Sequence, residues 1–464
     1  MYDLIFSNTI GASHVRHNIP CQDYGLVKEI GNYKVFAVSD GHGDPSCFRS
    51  DKGSRFICET VTEILPQFID SILKDNNECL LFELNNELIK QLSTSIIGNW
   101  LCRIEEDIAA DPITSETIAD YESMTNKSIN GKIADEYKAN IRVERAYGCT
   151  LIAGILTDEF LFLLHHGDGR CIVVDEDGDV VQPVPWDDRC VGSITTSCCD
   201  RDAIDSIRYS IINLKKHNIS ACFLSSDGVE DSFASTDAMY SYFLDAIIFA
   251  IDNGTRKLSE HLSQTLPDLS EMGSADDITI AGIIDVESCI PFVEKFKAYS
   301  KRVELEVSLE KTEDKIKSIL NGGLYAHLKK TYEKVQLEYD NVKKEYDRLC
   351  ADRDDLEKRL SALKLKEQSG QTPQQDESEV KKMLSLLQNL YNSCKGNFLE
   401  NPIMQCVDNL TDVLRRIDEL EERKEQLEIK LREAKKDFDK INSEYLGYVE
   451  AKADIEQQMA KLRN

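Results

Sequence analysis

Short, nearly unbroken apolar runs punctuate the chain up to about residue 290, and a heptad pattern fills most of the remainder. The runs at 35–38, 149–156, 160–166, 171–174, 221–224 and 278–284 are rich in Val, Ile, Leu and Phe. Each is short enough, and sharply enough bounded by polar residues, to read as a buried strand. Thr157-Asp158-Glu159 separates two of them by a hairpin's length, and Asp175-Glu176-Asp177-Gly178-Asp179 turns the chain between Val174 and Val180. A calcium loop would need glycine and glutamate where Val180 and Trp186 stand, so this acidic stretch reads as a hairpin turn. Between 53 and 65 the spacing of Phe56, Val61 and Leu65 is helical, and it stays so through Phe68, Ile69, Ile72, Leu73, Leu80, Leu84 and Leu88. Residues 66–140 are therefore expected to be helical, with a loop over the more polar 111–138.

The heptads begin after Pro291, and no proline interrupts the chain until Pro373. One track runs from Leu328, Tyr332, Val335 and Tyr339 through Val342, Tyr346 and Leu349 to Leu363. Another runs from Val413, Ile417 and Leu420 through Leu427, Leu431, Phe438 and Tyr445 to Met459. Both have coiled-coil spacing. Between them, Ser369-Gly370-Gln371-Thr372-Pro373-Gln374-Gln375-Asp376 is a polar linker, with a short apolar helix expected after it over 380–391. If Asn321-Gly322-Gly323 is a kink, the outer segments are similar in length and predict an antiparallel helical hairpin with arms of roughly 90 Å. The expected organisation is one domain over 1–287 and an all-α coiled-coil arm over 291–464, its tip near 367–402.

Charge separates the same two regions. The formal net charge is −28, and residues 1–300 hold 24 of the 55 Lys and Arg but 49 of the 83 Asp and Glu. A surface this acidic repels phosphate backbones and anionic lipid, so nucleic-acid and membrane-surface binding are excluded for the first domain. Basic protein surfaces and divalent cations are the expected partners. Fifteen cysteines include no Cys-x-x-Cys pair, and several, such as Cys149, Cys171 and Cys222, sit within apolar runs. Free thiols in a reducing compartment explain them best. The start Met1-Tyr2-Asp3-Leu4 lacks a signal-peptide pattern and no run reaches ~18 apolar residues, so a cytoplasmic protein is expected.

Polar chemistry gathers where the strands end. Val35-Phe36-Ala37-Val38-Ser39 runs into Asp40-Gly41-His42-Gly43, Cys222-Phe223-Leu224-Ser225-Ser226 into Asp227-Gly228, and Asp276-Asp277 opens the run from Ile278. A lone Asp-Gly would be an ordinary turn. Three carboxylates at strand ends can converge on one metal. His165-His166 ends another apolar run and reads as one packed and one exposed histidine, and Cys198-Cys199 as loop packing.

With these aspartates in place, residues 1–287 resemble the metal-dependent protein phosphatase 2C family. The matching blocks are Ser39-Asp40-Gly41-His42-Gly43, Gly148-Cys149-Thr150, Gly167-Asp168-Gly169-Arg170, Ser226-Asp227-Gly228 and Asp276-Asp277-Ile278-Thr279, in the family's order. Upstream, Gly11-Ala12-Ser13-His14 and Cys21-Gln22-Asp23 are similar to the bacterial branch. The resemblance implies an α+β fold, a four-layer αββα sandwich, and hydrolysis of phosphoserine or phosphothreonine by water activated on two Mn²⁺ or Mg²⁺ ions. It implies that Asp40 bridges the ions, that Gly41 lends its carbonyl, and that Asp227 and Asp276 complete the first site. His42 would protonate the leaving alkoxide, Asp23 would orient the water, and Asp168 would hold a third ion.

The chain departs from the family in two places. Gln22 stands where a glutamate usually serves the second metal, and the early phosphate-binding arginine has no counterpart at its spacing. Arg16, His14 and His17 are the nearby substitutes, and the flap over 186–207 offers Asp187, Asp188 and Arg189 to substrate. The arm is expected to serve dimerisation or to bind a partner protein. The rival reading is a pseudophosphatase, a scaffold that binds phosphoproteins without turnover because of Gln22.

Overall fold

The computed structural model describes residues 1–74, 86–192, 194–368 and 402–462. They fall into two compact units, Met1–Glu304 and Leu305–Asn464. Ten strands build the first: β1 (Asp3–Thr9), β2 (Tyr24–Ile30), β3 (Tyr33–Ser39), β4 (Leu151–Leu156), β5 (Phe160–His166), β6 (Arg170–Asp175), β7 (Val180–Val181), β8 (Arg208–Asn213), β9 (Ile219–Ser225) and β10 (Ile278–Ile284). They form two five-stranded sheets, ordered β1-β10-β9-β6-β7 and β2-β3-β4-β5-β8, with every pairing antiparallel. Its longer helices are α1 (Ala12–His17), α2 (Ser50–Lys74), α3 (Asn86–Ala110), α4 (Ser115–Thr125), α5 (Gly131–Lys138), α6 (Thr236–Asn253) and α7 (Thr255–Met272).

The unbroken apolar runs are explained by burial on both faces. Along β3, Val35 and Ala37 point to a core under α2 and α3, while Phe36 and Val38 point to the core between the sheets. Along β9, Ala221 and Phe223 face α6 and α7, while Cys222 and Leu224 face the inter-sheet core. Successive side chains of a strand take opposite faces, so a strand sandwiched between a sheet and a helical layer must be apolar at every position. Three cores separated by two sheets make a four-layer αββα sandwich. Each fully buried Phe or Ile side chain contributes about 1.5–3 kcal/mol.

The stretch expected to loop at 111–138 instead holds α4 and α5. Its polarity reflects two short helices that bury only Ile118, Thr125, Ala134 and Tyr137. Their starts are fixed by polar caps: Thr114 and Thr117 form a reciprocal capping box, and Asn130 accepts from the Lys132 amide. Leu80 and Leu84 lie outside the described residues. The acidic 175–179 stretch is a hairpin turn, with Asp175 Oδ1 accepting from the amides of Asp177 (3.0 Å) and Asp179 (2.9 Å).

The first unit extends past 287 into α8 (Val293–Asn321). Phe296 is buried in the core under α6, and the Tyr299 hydroxyl donates to Asp237 Oδ1 at 2.6 Å. In the second unit, α9 (Leu324–Gln368) and α10 (Pro402–Leu462) run antiparallel. Tyr346 donates to Glu421 (3.1 Å), Tyr332 stacks on Phe438, Tyr325 donates to Asn442 (3.0 Å) and Lys452 reaches Glu313 (2.8 Å). One residue number falls as its partner's rises. Val342, Leu420 and Leu427 close a small core between these helices, flanked by Tyr339, Tyr346 and Leu349. The helical rod breaks at Asn321-Gly322-Gly323, where Gly323 takes φ +71°. The linker at 369–376 and the helix expected at 380–391 lie outside the described residues.

Candidate metal and catalytic site

The site lies where strands from both sheets end. β3 of one sheet delivers Asp40; β9 of the other leads into Asp227; Asp276 and Asp277 precede β10; and Asp168 sits between β5 and β6, where the chain changes sheets. Carboxylate oxygens of Asp40, Asp168 and Asp227 all lie within 4.8 Å of one another. Burial, and then repulsion from Asp227, Asp23, Asp276 and Asp168, hold the Asp40 carboxyl well above the usual carboxylate range. Burial and the charges of Asp168, Asp276 and Asp231 push Asp227 up to about 7. Asp168 is also raised, chiefly by burial. Asp168 Oδ1 and Asp23 Oδ2 are buried without a hydrogen-bond partner.

The 148–150 segment holds the 40–43 box in place. Asp40 and Thr150 exchange two bonds, from Asp40 N to Thr150 Oγ1 (2.9 Å) and from Thr150 N to Asp40 O (2.8 Å). His42 N donates to Gly148 O at 3.1 Å. A Cβ on Gly41 would lie 2.5 Å from Gln22 O and 2.9 Å from Ser50 O, and one on Gly228 would lie 2.1 Å from Asp277 O. Backbone meets backbone at both places, so only glycine fits. His42 Nε2 is buried without a partner, and burial lowers the imidazole to about 4.

A protein-family model for protein phosphatase 2C matches residues 10–267, more than half of the chain. The chain belongs to that family. No curated protein matches the sequence. Similar solved structures include a bacterial serine phosphatase at 14% identity, covering 61% of this chain and 98% of its own, with a TM-score of 0.35. The catalytic domain of the serine/threonine protein phosphatase PstP in complex with two manganese ions is 13% identical, with 61% and 97% covered and a TM-score of 0.35. RsbX in complex with magnesium is 12% identical, with 61% and 96% covered and a TM-score of 0.32. The family is one of protein phosphatases, and this chain is a phosphatase by membership in it.

In the structure Gln22 sits beside the 40–43 box. It is buried, and its Nε2 donates to Ser50 Oγ (2.7 Å) and His42 O (3.4 Å). Asp23 is buried near Ser226 and Thr279, and its carboxyl is raised by burial and by Asp277. Asp276 is exposed, and an oxygen of its carboxylate groups with His14 and Asp277. Sequence reasoning overlooked Asp277 as an organiser. Its Oδ1 accepts from Gly11 N (2.5 Å), its Oδ2 from Gln22 N (2.6 Å), and His14 Nδ1 lies 3.0 Å from Oδ2. One carboxylate thus ties both halves of the 11–23 segment to the start of β10. Burial pulls the His14 pKa down, but the bond to Asp277 together with the charges of Asp277 and Asp276 outweighs it and leaves it raised. Asp231 was also overlooked, although it stands one helical turn beyond Asp227.

The proposed phosphate-binding substitutes are engaged elsewhere: His14 with Asp277, His17 Nδ1 with Ser13 O (2.7 Å) and Arg16 with Glu271 (3.4 Å). Asp187 and Arg189 bind each other at 2.8 Å, and Arg189 also reaches Asp202 (2.9 Å). Asp188 is exposed. His165 and His166 are both buried, correcting the expected split. The strand that carries them faces a core on each side to its last residue.

Proposed function

We propose that the first unit hydrolyses phosphoserine and phosphothreonine in proteins with two Mn²⁺ or Mg²⁺ ions. Asp40, Asp227, Asp276 and the Gly41 carbonyl would hold them, and Asp168 a third. The observation that carries this reading is the convergence of Asp40, Asp168 and Asp227, three crowded carboxylates that all bind protons more tightly than an ordinary aspartate. An all-oxygen donor set suits hard cations. The partnerless Oδ1 of Asp168 fits it too, since a buried acceptor without a donor is costly. When bound, such ions supply Lewis-acid chemistry, lowering the pKa of water and neutralising charge on the phosphoryl group.

The protein's own groups do the rest. Asp23 orients the attacking water through Oδ2. His42, whose buried Nε2 has no partner, would give its proton to the leaving oxygen. Held at about 4 the imidazole is neutral at pH 7, but a phosphate dianion beside it favours the imidazolium, so His42 takes up a proton from solvent as the substrate binds and gives it to the leaving oxygen. Gln22 brings no charge to the second metal, and its amide nitrogen is already spent on Ser50 and the His42 carbonyl. That loss is the basis of the rival reading, a phosphoprotein-binding scaffold. Purified protein with Mn²⁺ is expected to release phosphate from a phosphothreonine peptide, and EDTA to stop it. Inactivity with both metals across several phosphopeptides would leave the scaffold standing.

We assign the helical arm to dimerisation or targeting. Its seam of Val342, Leu420 and Leu427 is closed within the chain, yet Leu337, Ile429 and Leu446 stay exposed. Light scattering is expected to return twice the chain mass of 52.6 kDa. A monomer would remove dimerisation and leave a partner protein as the arm's target.

A further inference from the structure

The phosphatase reading leaves the substrate's phosphate without a positive partner. Arg170, Arg189 and Arg208 near the site each hold carboxylates, carbonyls or a ring, although the buried Nε of Arg170 and of Arg208 has no hydrogen-bond partner among the described residues. Arg170 pairs with Glu230 and lies 3.9 Å over the Trp186 ring; Arg189 holds Asp187 and Asp202; Arg208 donates to Pro185 O (2.7 Å) and Gly167 O (2.9 Å). A phosphomonoester dianion approaching Asp23, Asp40, Asp168, Asp227 and Asp276 meets repulsion without metal, and divalent ions at the site roughly cancel those carboxylates without supplying a large excess of positive charge for the dianion.

Lys127 differs from these arginines. Its ammonium nitrogen lies 3.4 Å from the carbonyl of Gly43, the residue after His42, and it has no carboxylate within ion-pair distance among the described residues. It is also near enough to His14 to oppose that imidazole's protonation, which places it on the Asp276–Asp277 side of the box. An ammonium has three donors. One is used weakly on Gly43, which leaves two for phosphoryl oxygens.

The loop that carries Lys127 is built to hold it there. Asn126 ends α4 in the left-handed conformation (φ 54°, ψ 27°), the Lys127 amide donates to Thr125 Oγ1 (3.3 Å), and the Ile129 amide donates to Glu122 Oε1 (2.8 Å). Thr125 and Ile129 are buried on either side, while Lys127 stays half-exposed. The two helices that replaced the expected loop therefore have a consequence at the site: they set a cation on its rim.

We propose that Lys127 binds the phosphoryl oxygens of the substrate, anchoring a phosphomonoester dianion over the carboxylate cluster. This deepens the phosphatase reading and rests on it. The test uses the full chain with Mn²⁺ and inorganic phosphate as probe, comparing wild type with Lys127→Ala and Lys127→Arg. In the wild type, phosphate is expected to raise the melting temperature and to inhibit competitively. Lys127→Ala should weaken phosphate binding about tenfold and raise KM for a phosphothreonine peptide by a similar factor, with a smaller change in kcat. Lys127→Arg should recover most of both. Equal melting of the three proteins without phosphate is expected, because the side chain is half-exposed and joins no ion pair among the described residues. Unchanged phosphate affinity in Lys127→Ala overturns the assignment, as does a wild type that takes up no phosphate. A wild type that binds phosphate through Lys127 but never turns over a phosphopeptide defeats the phosphatase reading and leaves this assignment standing.

Discussion

Asp40→Asn is expected to abolish metal-dependent phosphatase activity and, in EDTA, to raise the melting temperature. The two effects have one cause. Asp40 shares a half-buried space with Asp168 and Asp227, and its carboxyl, like that of Asp227 at about 7, binds a proton more tightly folded than unfolded. Below the unfolded carboxylate value of about 3.9 both states are protonated and the cluster costs nothing. As pH rises, the unfolded chain ionises first, so stability is lost progressively through the folded values. At pH 7.5 without metal the wild type therefore carries repulsion that asparagine removes, and a gain of roughly 3 °C or more is expected. Activity should fall on the order of 10³-fold, since a carboxylate proposed to hold the ions is lost. Melting curves in EDTA and in Mn²⁺ separate the contributions: Mn²⁺ should stabilise the wild type strongly and Asp40→Asn little. A variant that melts below wild type in EDTA would sink the repulsion argument.

Local pattern made much of the fold legible in the chain. A strand that ends at a core's edge must turn, and a carboxylate there either faces water or holds something; of the three such endings, Asp40 and Asp227 meet in one cluster, whereas Asp276 groups with His14 and Asp277, and the third member, Asp168, was implied only by the family resemblance. Burial on both faces of β3 and β9 was legible too, in runs without alternation. The relations made by long-range packing were not. Nothing local distinguishes Asp277 from Asp276, yet Asp277 turns inward to bind Gly11, Gln22 and His14 while Asp276 stays exposed. Lys127 lies 84 residues from Gly43, on a segment whose sparse apolar positions look like a loop. Short helices that rest one face on a large domain need few buried residues, so their periodicity is weak while their caps are plain. Both histidines of His165-His166 are buried because β5 is covered on both faces, which the residue pair alone does not reveal.

Trp100→Ala is expected to be the most destabilising single change away from the site. Trp100 on α3 is wholly buried, and its indole nitrogen donates to the Gly53 carbonyl of α2 at 3.0 Å. Truncation removes the largest buried side chain of the core under β3 and leaves that carbonyl without its donor. Large-to-small changes of this kind cost about 3–5 kcal/mol, and a fall in melting temperature of roughly 10 °C is expected. The cost reaches toward the site through packing. Phe56 of α2 stacks on Tyr147, whose hydroxyl bonds Arg49 (2.8 Å) and Asp107 (2.6 Å), and Tyr147 precedes the glycine whose carbonyl receives the His42 amide. None of the Trp100 contacts involves a clustered carboxylate, so at 20 °C the folded fraction should keep its Mn²⁺-dependent activity. A loss of less than 3 °C would mean that α2 and α3 are not locked together through this residue. Activity lost at 20 °C without unfolding would mean that the α2–α3 layer, and not only the strand ends, sets the geometry of the catalytic box.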